Sequence, residues 1–458
     1  MSAGDSYSEQ KAEELFLGSE CEFEARNSAH CLVNSDTLKH KYVTEANFRA
    51  AKEHNLFLMA TSENPNIRKA VASNAIEVFK EALRNPRGKR CLYAAKGLRM
   101  LSDCNEEMRL AMLDQGVIED LVIVAKRSVT EAESVDAMGA LHHLTRGIDI
   151  GVILKILDCG GEQVFLNFMK SRDRGQGHLA YAGLAHLVLN CTNEKKLELA
   201  RDRGAIDMCV KVFNEDRRDS TGMTAKLNAM ECVRNFLCGA KQDVIDILYE
   251  KKAIQTLLGI ARCGKDLMML WVAIHGLFYA CEDGDDKFKQ MLMAKHDLVG
   301  IMKFHVLNDH VLNDEHDKAA NLAVRVFAGL ASGSEYVKRV LLEEGLIECL
   351  SARAEDEYKQ DNVKFAQAVG VVLFNMSKIE NENDVESFLG RGARALAVRT
   401  QVYLRRRAAA TADTAAGTAA TTDYYIVRSK EALSNITLLE ESQKEMKNLE
   451  ARMRMMQP

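Results

Sequence analysis

The stretch GIARCGKD, residues 259–266, nearly fits the phosphate-cradling loop GxxxxGK[ST]. That loop works because glycine-rich backbone after a strand turns its N–H groups toward phosphate, with a hydroxyl left to hold magnesium. Here Asp266 stands in place of the hydroxyl and would repel phosphate. A helical pattern also precedes it where a strand is required, so the stretch reads as an inter-helix turn. Gly390, Gly392 and Ala395 fit GxGxxA, but no strand–helix–strand pattern surrounds them, and a dinucleotide site needs one. No GxSxG, HExxH or matched acid–base pair occurs. The expectation is a chain that is not an enzyme and carries no cofactor or metal.

Other candidates are histidines and cysteines. His142, His143 and His186 fall near the ends of long apolar helices about one repeat apart, where they are expected to pack in a core or face a groove. His310 and His316 stand beside Asp309, Asp314 and Asp317. That grouping could titrate or hold a metal weakly, but it reads first as a solvated loop. Twelve cysteines are scattered with no CxxC pair. Several, such as Cys209, Cys232 and Cys349, lie in apolar helical runs and read as reduced core thiols, which points to a cytoplasmic compartment.

The elements that would position these residues follow one pattern. In residues 321–350, Leu322, Val326 and Leu330 recur at i, i+4 and i+8 and line one helix face. A shorter helix with Val337, Val340 and Leu341 follows, then Gly345, then a third helix opening with Leu346 and Ile347. The turn position held by Gly345 recurs at Asn74, Gly116, Gly160, Gly204, Lys252, His296 and Gly392, at intervals of 42 to 49 residues. A period in the forties with three helices and a glycine turn matches armadillo repeats. It exceeds the 33- and 34-residue periods of ankyrin and tetratricopeptide repeats, and HEAT repeats are the main competitor.

The reading is therefore an all-α, right-handed superhelical armadillo solenoid of eight to nine repeats. Residues 1–47 form a polar extension and 48–404 the repeat array. Residues 405–422, rich in Ala and Thr, form a disordered loop, and 423–458 a partial last repeat with a capping helix. Three prolines in 458 residues suit helix throughout. A net charge of −5 argues against a nucleic-acid partner, and no apolar run is long enough for a membrane span.

In such an array the third helices line a concave groove. Nuclear-import adaptors of this fold carry tryptophan and asparagine ladders there. The asparagine position reads Leu58, Met100, His143, His186, Asn235, Tyr279, Gly329, Asn375 and Asn435, and Trp271 is out of register for a ladder. With three asparagines in nine, the groove is mixed, and a basic localisation signal would find few of its usual partners. The residues expected to contact a protein partner are Asn235, Tyr279, Arg325, Asn375 and Asn435, with Phe304, His310 and His316 as a second, loop surface.

From about residue 222 onward the chain resembles the UCS (UNC/CRO/She) family of myosin-directed co-chaperones. The resemblance rests on LWVAIHGLFYACEDGDDKFKQ, on KFHVLNDHVLNDEHDK at 303–318, on AVRVFAGL at 323–330, on NVKFAQAVGVVLFNMS followed by ESFLG, and on SKEALSNITLLEESQKEM. It implies an armadillo fold and a myosin motor domain as partner, held in the groove without ATP. The animal-type family adds an N-terminal tetratricopeptide domain that recruits a heat-shock chaperone, and no 34-residue repeat occurs in residues 1–47. Leu312 and Leu389 stand where the family has proline, and the family continues with further repeats. A relative shortened at both ends is the expectation. A cytoskeletal or axonemal armadillo scaffold without chaperone activity is the alternative.

Overall fold

The computed structural model describes residues 56, 60, 75–84, 89–147, 149–171, 177–215, 219–264, 266–308, 314–411 and 419–455. Among these every regular element is a helix. The chain divides into two compact units, Met1–Asn235 and Phe236–Pro458.

In both units the helices come in threes of armadillo type. A short first helix, opened by a side-chain cap at Asn105, Asp149, Thr192, Asp285 and Asn381, is linked by a left-handed residue to the second, and a third follows. Glu335–Glu343, Leu346–Lys359 and Val363–Met376 make one such repeat. In it Asn362 accepts a hydrogen bond from the Phe365 N–H at 3.0 Å, satisfying a donor the helix start leaves over. Asp266 does the same for Met269, at 2.9 Å, so the near-phosphate-loop begins in the last turn of a second helix, Ala253–Cys263, and ends at the cap of a third.

At the corner between first and second helices the backbone is left-handed at Gly116, Gly160, Gly204, Gly345 and Gly392, and there at two residues with side chains, Lys252 (φ 66°) and Asp297 (φ 52°). The turn expected at His296 is one residue later, because His296 still belongs to the helix Asp286–His296. Glycine suits this corner because a Cβ would crowd the next carbonyl oxygen. Asn74 lies outside the described residues, as does the whole 1–47 extension.

Eight third helices are described: Lys89–Ser102, Ala132–Thr145, Gly177–Leu189, Ser220–Leu237, Leu267–Asp283, Asp314–Ala331, Val363–Met376 and Ala419–Met455. The last overturns two expectations. The helix Ala393–Thr411 runs past Leu404, and its successor begins at Ala419, so much of the supposed 405–422 loop is helical; residues 412–418 lie outside the described set. Alanine's helix preference prevails over the want of large apolar side chains. Nor is there a broken ninth repeat with a separate cap: Ala419–Met455 is one 37-residue helix, the third of its repeat. The 303–318 interruption is likewise shorter than expected, with helix up to Leu307 and again from Asp314.

Each unit has its own apolar core. Phe79 and Phe165 are fully buried in the first, and Phe236, Phe327, Phe365 and Phe388 in the second. Cys209, Cys232 and Cys349 are buried as expected. No described helix is long and apolar enough to cross a membrane.

Gly329 sets how closely two third helices approach. A Cβ there would stand 3.0 Å from the Glu282 nitrogen and 3.1 Å from the Cys281 carbonyl carbon, and backbone cannot step aside as a flexible side chain can. Gly329→Ala is expected to lower unfolding stability by about 1–3 kcal/mol through overpacking. Gly259→Ala, where a Cβ meets nothing within 4 Å, is expected to be neutral or to add up to about 1 kcal/mol of helix propensity. Urea midpoints of the two variants check the contrast.

Candidate partner-binding groove

The third helices of the second unit frame a groove of about 670 Å³. Leu267, Met268, Trp271, His275, Phe278 and Glu282 come from Leu267–Asp283. Arg325 and Gly329 come from Asp314–Ala331, Lys364, Gln367 and Asn375 from Val363–Met376, and Tyr424 and Tyr425 from Ala419–Met455. First and second helices contribute nothing to this lining. The reason is local: Trp271, His275 and Phe278 recur at helical spacing on one face, while Val272, Ile274 and Leu277 turn into the core.

Aromatic groups dominate one wall. Trp271 meets His275 edge-on at 5.2 Å, and His275 stacks on Tyr279 at 4.9 Å. The Arg325 guanidinium lies over the Phe278 ring, 4.1 Å from its centroid, a cation–π contact. Burial and the neighbouring Asp283 carboxylate push the Glu282 carboxyl above the usual range, against the opposing pull of Arg325 and Lys289.

The structure distributes the sequence candidates unevenly. Arg325 and Asn375 line the groove. Tyr279 stands beside it, stacked on His275. Asn235 belongs to the first unit, where it is buried and donates from Nδ2 to the Ala185 carbonyl at 2.8 Å. Asn375 makes the matching bond to the Ala328 carbonyl at 3.0 Å. In each case the acceptor directly precedes the ladder position of the preceding repeat, so these amides tie third helix to third helix. Asn435 donates to Ser377 Oγ at 3.2 Å. Phe304, expected in a loop, is on the helix Leu298–Leu307 and 58% exposed. His316 falls within Asp314–Ala331 rather than in a loop, and His310 lies outside the described residues.

Sequence reasoning missed the part played by Trp271, which lines the groove despite being out of register for a ladder, and by Lys364, Gln367, Tyr424 and Tyr425. It also missed a repeated tie made by the fourth residue of the first helix. Lys196 donates to the Asn235 carbonyl at 3.1 Å, Lys289 to Ser332 Oγ at 3.1 Å, and Lys338 to the Lys378 carbonyl at 3.2 Å. Each buried lysine thus meets the C-terminal end of its own repeat's third helix, where the helix dipole favours a cation. The signal was legible as NEKK, DKFK and EYVK.

In the first unit the third helices carry histidines instead. The His142 and His186 rings stack at 6.1 Å, and His186 Nδ1 is 3.1 Å from Thr145 Oγ1. His143 Nδ1 stands 3.0 Å from Asp103 Oδ1. Burial first, then the neighbouring His143, His186, Arg146 and His178, push the His142 pKa down to about 3. No described group of three or more His, Cys, Asp or Glu has a metal-holding arrangement.

No protein-family model and no curated protein matches this chain. Among solved structures, the chain is similar to an engineered protein from a structural genomics consortium at TM-score 0.61 and 17% identity, over 94% of this chain and 99% of that one. At that identity the likeness is one of fold. A designed armadillo repeat protein aligns at TM-score 0.46 and 17% identity over 54% of this chain and 98% of its own. Another, solved in complex with the peptide (KR)4, aligns at 0.47 and 18% over 58% and 100%.

Two outcomes are expected. Asn235→Ala removes the donor to Ala185 and the acceptor of the Arg234 hydrogen bonds; it should cost about 1–3 kcal/mol in urea unfolding. His142 stays neutral in the fold but takes up a proton in the unfolded chain below its ordinary pKa of 6.5. Its effect on stability is therefore absent above that pH and grows as pH falls from there toward about 3. At pH 5 the loss is about 2 kcal/mol, and His142→Gln should flatten the fall in urea midpoint between pH 7 and 5.

Proposed function

We propose that this protein is a non-catalytic binding protein that holds an extended segment of a partner protein along the third-helix groove of its second unit. The observation that carries the reading is the lining itself. Four successive third helices supply every lining residue but Ser332, which directly follows one of them, with an aromatic wall on one side and amide and charged groups along the rest. Third helices packed 8–10 Å apart would span about 30 Å, the reach of about nine residues of extended chain. Trp271 and Phe278 supply large, stiff contact area at little entropic cost, and Gln367 offers an amide donor and acceptor to a peptide backbone.

The finer reading makes the partner a myosin motor domain, held while partly folded. The support for it is the UCS resemblance of residues 222 onward, whose strings include the very helices that line the groove. Holding requires no nucleotide: covering an exposed segment blocks its aggregation, and burial of about 1,500 Å² is ordinary for a protein interface. A heat-shock chaperone as second partner has only the family resemblance behind it. A scaffold that uses the same groove without assisting folding is the competing role.

Trp271 is the chain's one tryptophan, so its emission reports groove occupancy without interference. Peptides selected from a random display library on the full chain, and free of tryptophan, are expected to shift that emission. Their binding, followed by anisotropy, should weaken at least about tenfold in Trp271→Ala. Selected peptides that bind with Trp271 silent and with unchanged affinity in the variant would place binding elsewhere. Heating a myosin motor domain with a stoichiometric amount of the protein separates the roles: suppressed light scattering, reduced in Trp271→Ala, is expected of the chaperone, and no suppression leaves the scaffold.

A further inference from the structure

We infer that the segment bound in this groove is acidic: it carries a carboxylate side chain next to an aromatic or aliphatic anchor, received by Arg325 and Lys364. This rests on the groove being the partner site, and it adds the chemistry of the occupant.

Arg325 is the centre of the argument. Its guanidinium carbon stands 4.1 Å from the Phe278 ring centroid, a contact that restrains the head group without using its N–H donors. A planar fork held that way suits bidentate pairing with a carboxylate. Elsewhere in the unit arginines already have such partners: Arg339 pairs with Asp384, Arg391 with Glu348 and Arg407 with Asp361. Arg325 is exposed, and among the described residues it makes no ion pair and donates no hydrogen bond. Lys364, also exposed and also on the groove, is in the same condition.

The remaining charges point the same way. Glu282 is the one carboxylate among the lining residues, against the two cations Arg325 and Lys364. Aromatic walls often serve to hold a ligand's cation, but here the Phe278 face is taken by Arg325, so an arriving cation would meet a like charge. An acidic residue instead completes an ion pair that the groove leaves half built, while its apolar neighbour packs on Trp271 and Tyr424.

The test uses the full chain and three capped peptides without tryptophan: one alternating Phe or Leu with Glu, and its Gln-for-Glu and Lys-for-Glu counterparts. Titrations follow Trp271 emission at about 50 mM salt, where screening is modest. The Glu peptide is expected to bind at least about tenfold tighter than the Gln peptide. That advantage should shrink to about threefold or less in Arg325→Gln and as salt is raised, and Arg325→Lys should restore only part of it. The Gln peptide should bind both the parent and Arg325→Gln alike, which also shows that the variant is folded. Equal binding of Glu and Gln peptides overturns the proposal while leaving the groove as the binding site, since Trp271 still responds. Tightest binding by the Lys peptide overturns it as well. Silence of Trp271 toward all three overturns both this proposal and the groove reading beneath it.

Discussion

Close approach of one third helix to the next is the constraint on which the second unit depends. Where Asp314–Ala331 meets Leu267–Asp283, the contact is tight enough that a single methyl at Gly329 would run into backbone. Where Val363–Met376 meets Asp314–Ala331, the Asn375 amide reaches the Ala328 carbonyl. A carbonyl in a helix has a lone pair to spare beyond its ladder bond, and a neighbouring amide can use it only at such short range. The same tie in the first unit, Asn235 to Ala185, shows that the device belongs to the repeat rather than to one contact.

Within a repeat the tie is a buried cation. Lys196, Lys289 and Lys338 would be costly in the interior if their ammonium groups faced apolar surface. Each instead ends on an oxygen at the C-terminal end of a third helix, where unpaired carbonyls and the helix dipole welcome it. The first helix is thereby pinned to the third, and the left-handed corner at Gly345 or Lys252 carries the chain from the first helix into the second. With those joints made, the core has only to fill the space between helices.

The groove is what this stacking leaves over. Residues spent on holding helices together are not available to a partner, which is why Asn235 and Asn375 serve structure first although their ladder position suggests binding. The groups left to meet a ligand stand between those ties: Trp271, Lys364, Gln367, Tyr424 and above all Arg325, whose partner inside the protein is an aromatic face and not an acid. A binding surface built this way has its side chains positioned before the partner arrives, which lowers the entropic cost of association.

From the amino-acid sequence alone one could read the helical class, the period of the repeat and the armadillo type. The apolar spacing and the recurring left-handed corners are local properties, set by a residue's own backbone preference and its neighbours three and four places away. Reading failed where two local rules competed, as at residues 405–411 just after Leu404, where helix preference outlasted the lack of large apolar side chains. It failed also by one residue at His296, since glycine marks a corner plainly and Asp297 does not. Which third-helix residues face a partner was decided only by tertiary structure. Asn235, Asn375 and Asn435 share one register position, yet the first two donate to a helix carbonyl and the third to the Ser377 hydroxyl, and that depends on what the preceding repeat places opposite. A side chain's availability is a property of its neighbours across the helix–helix contact, and these lie some 50 residues away in the chain.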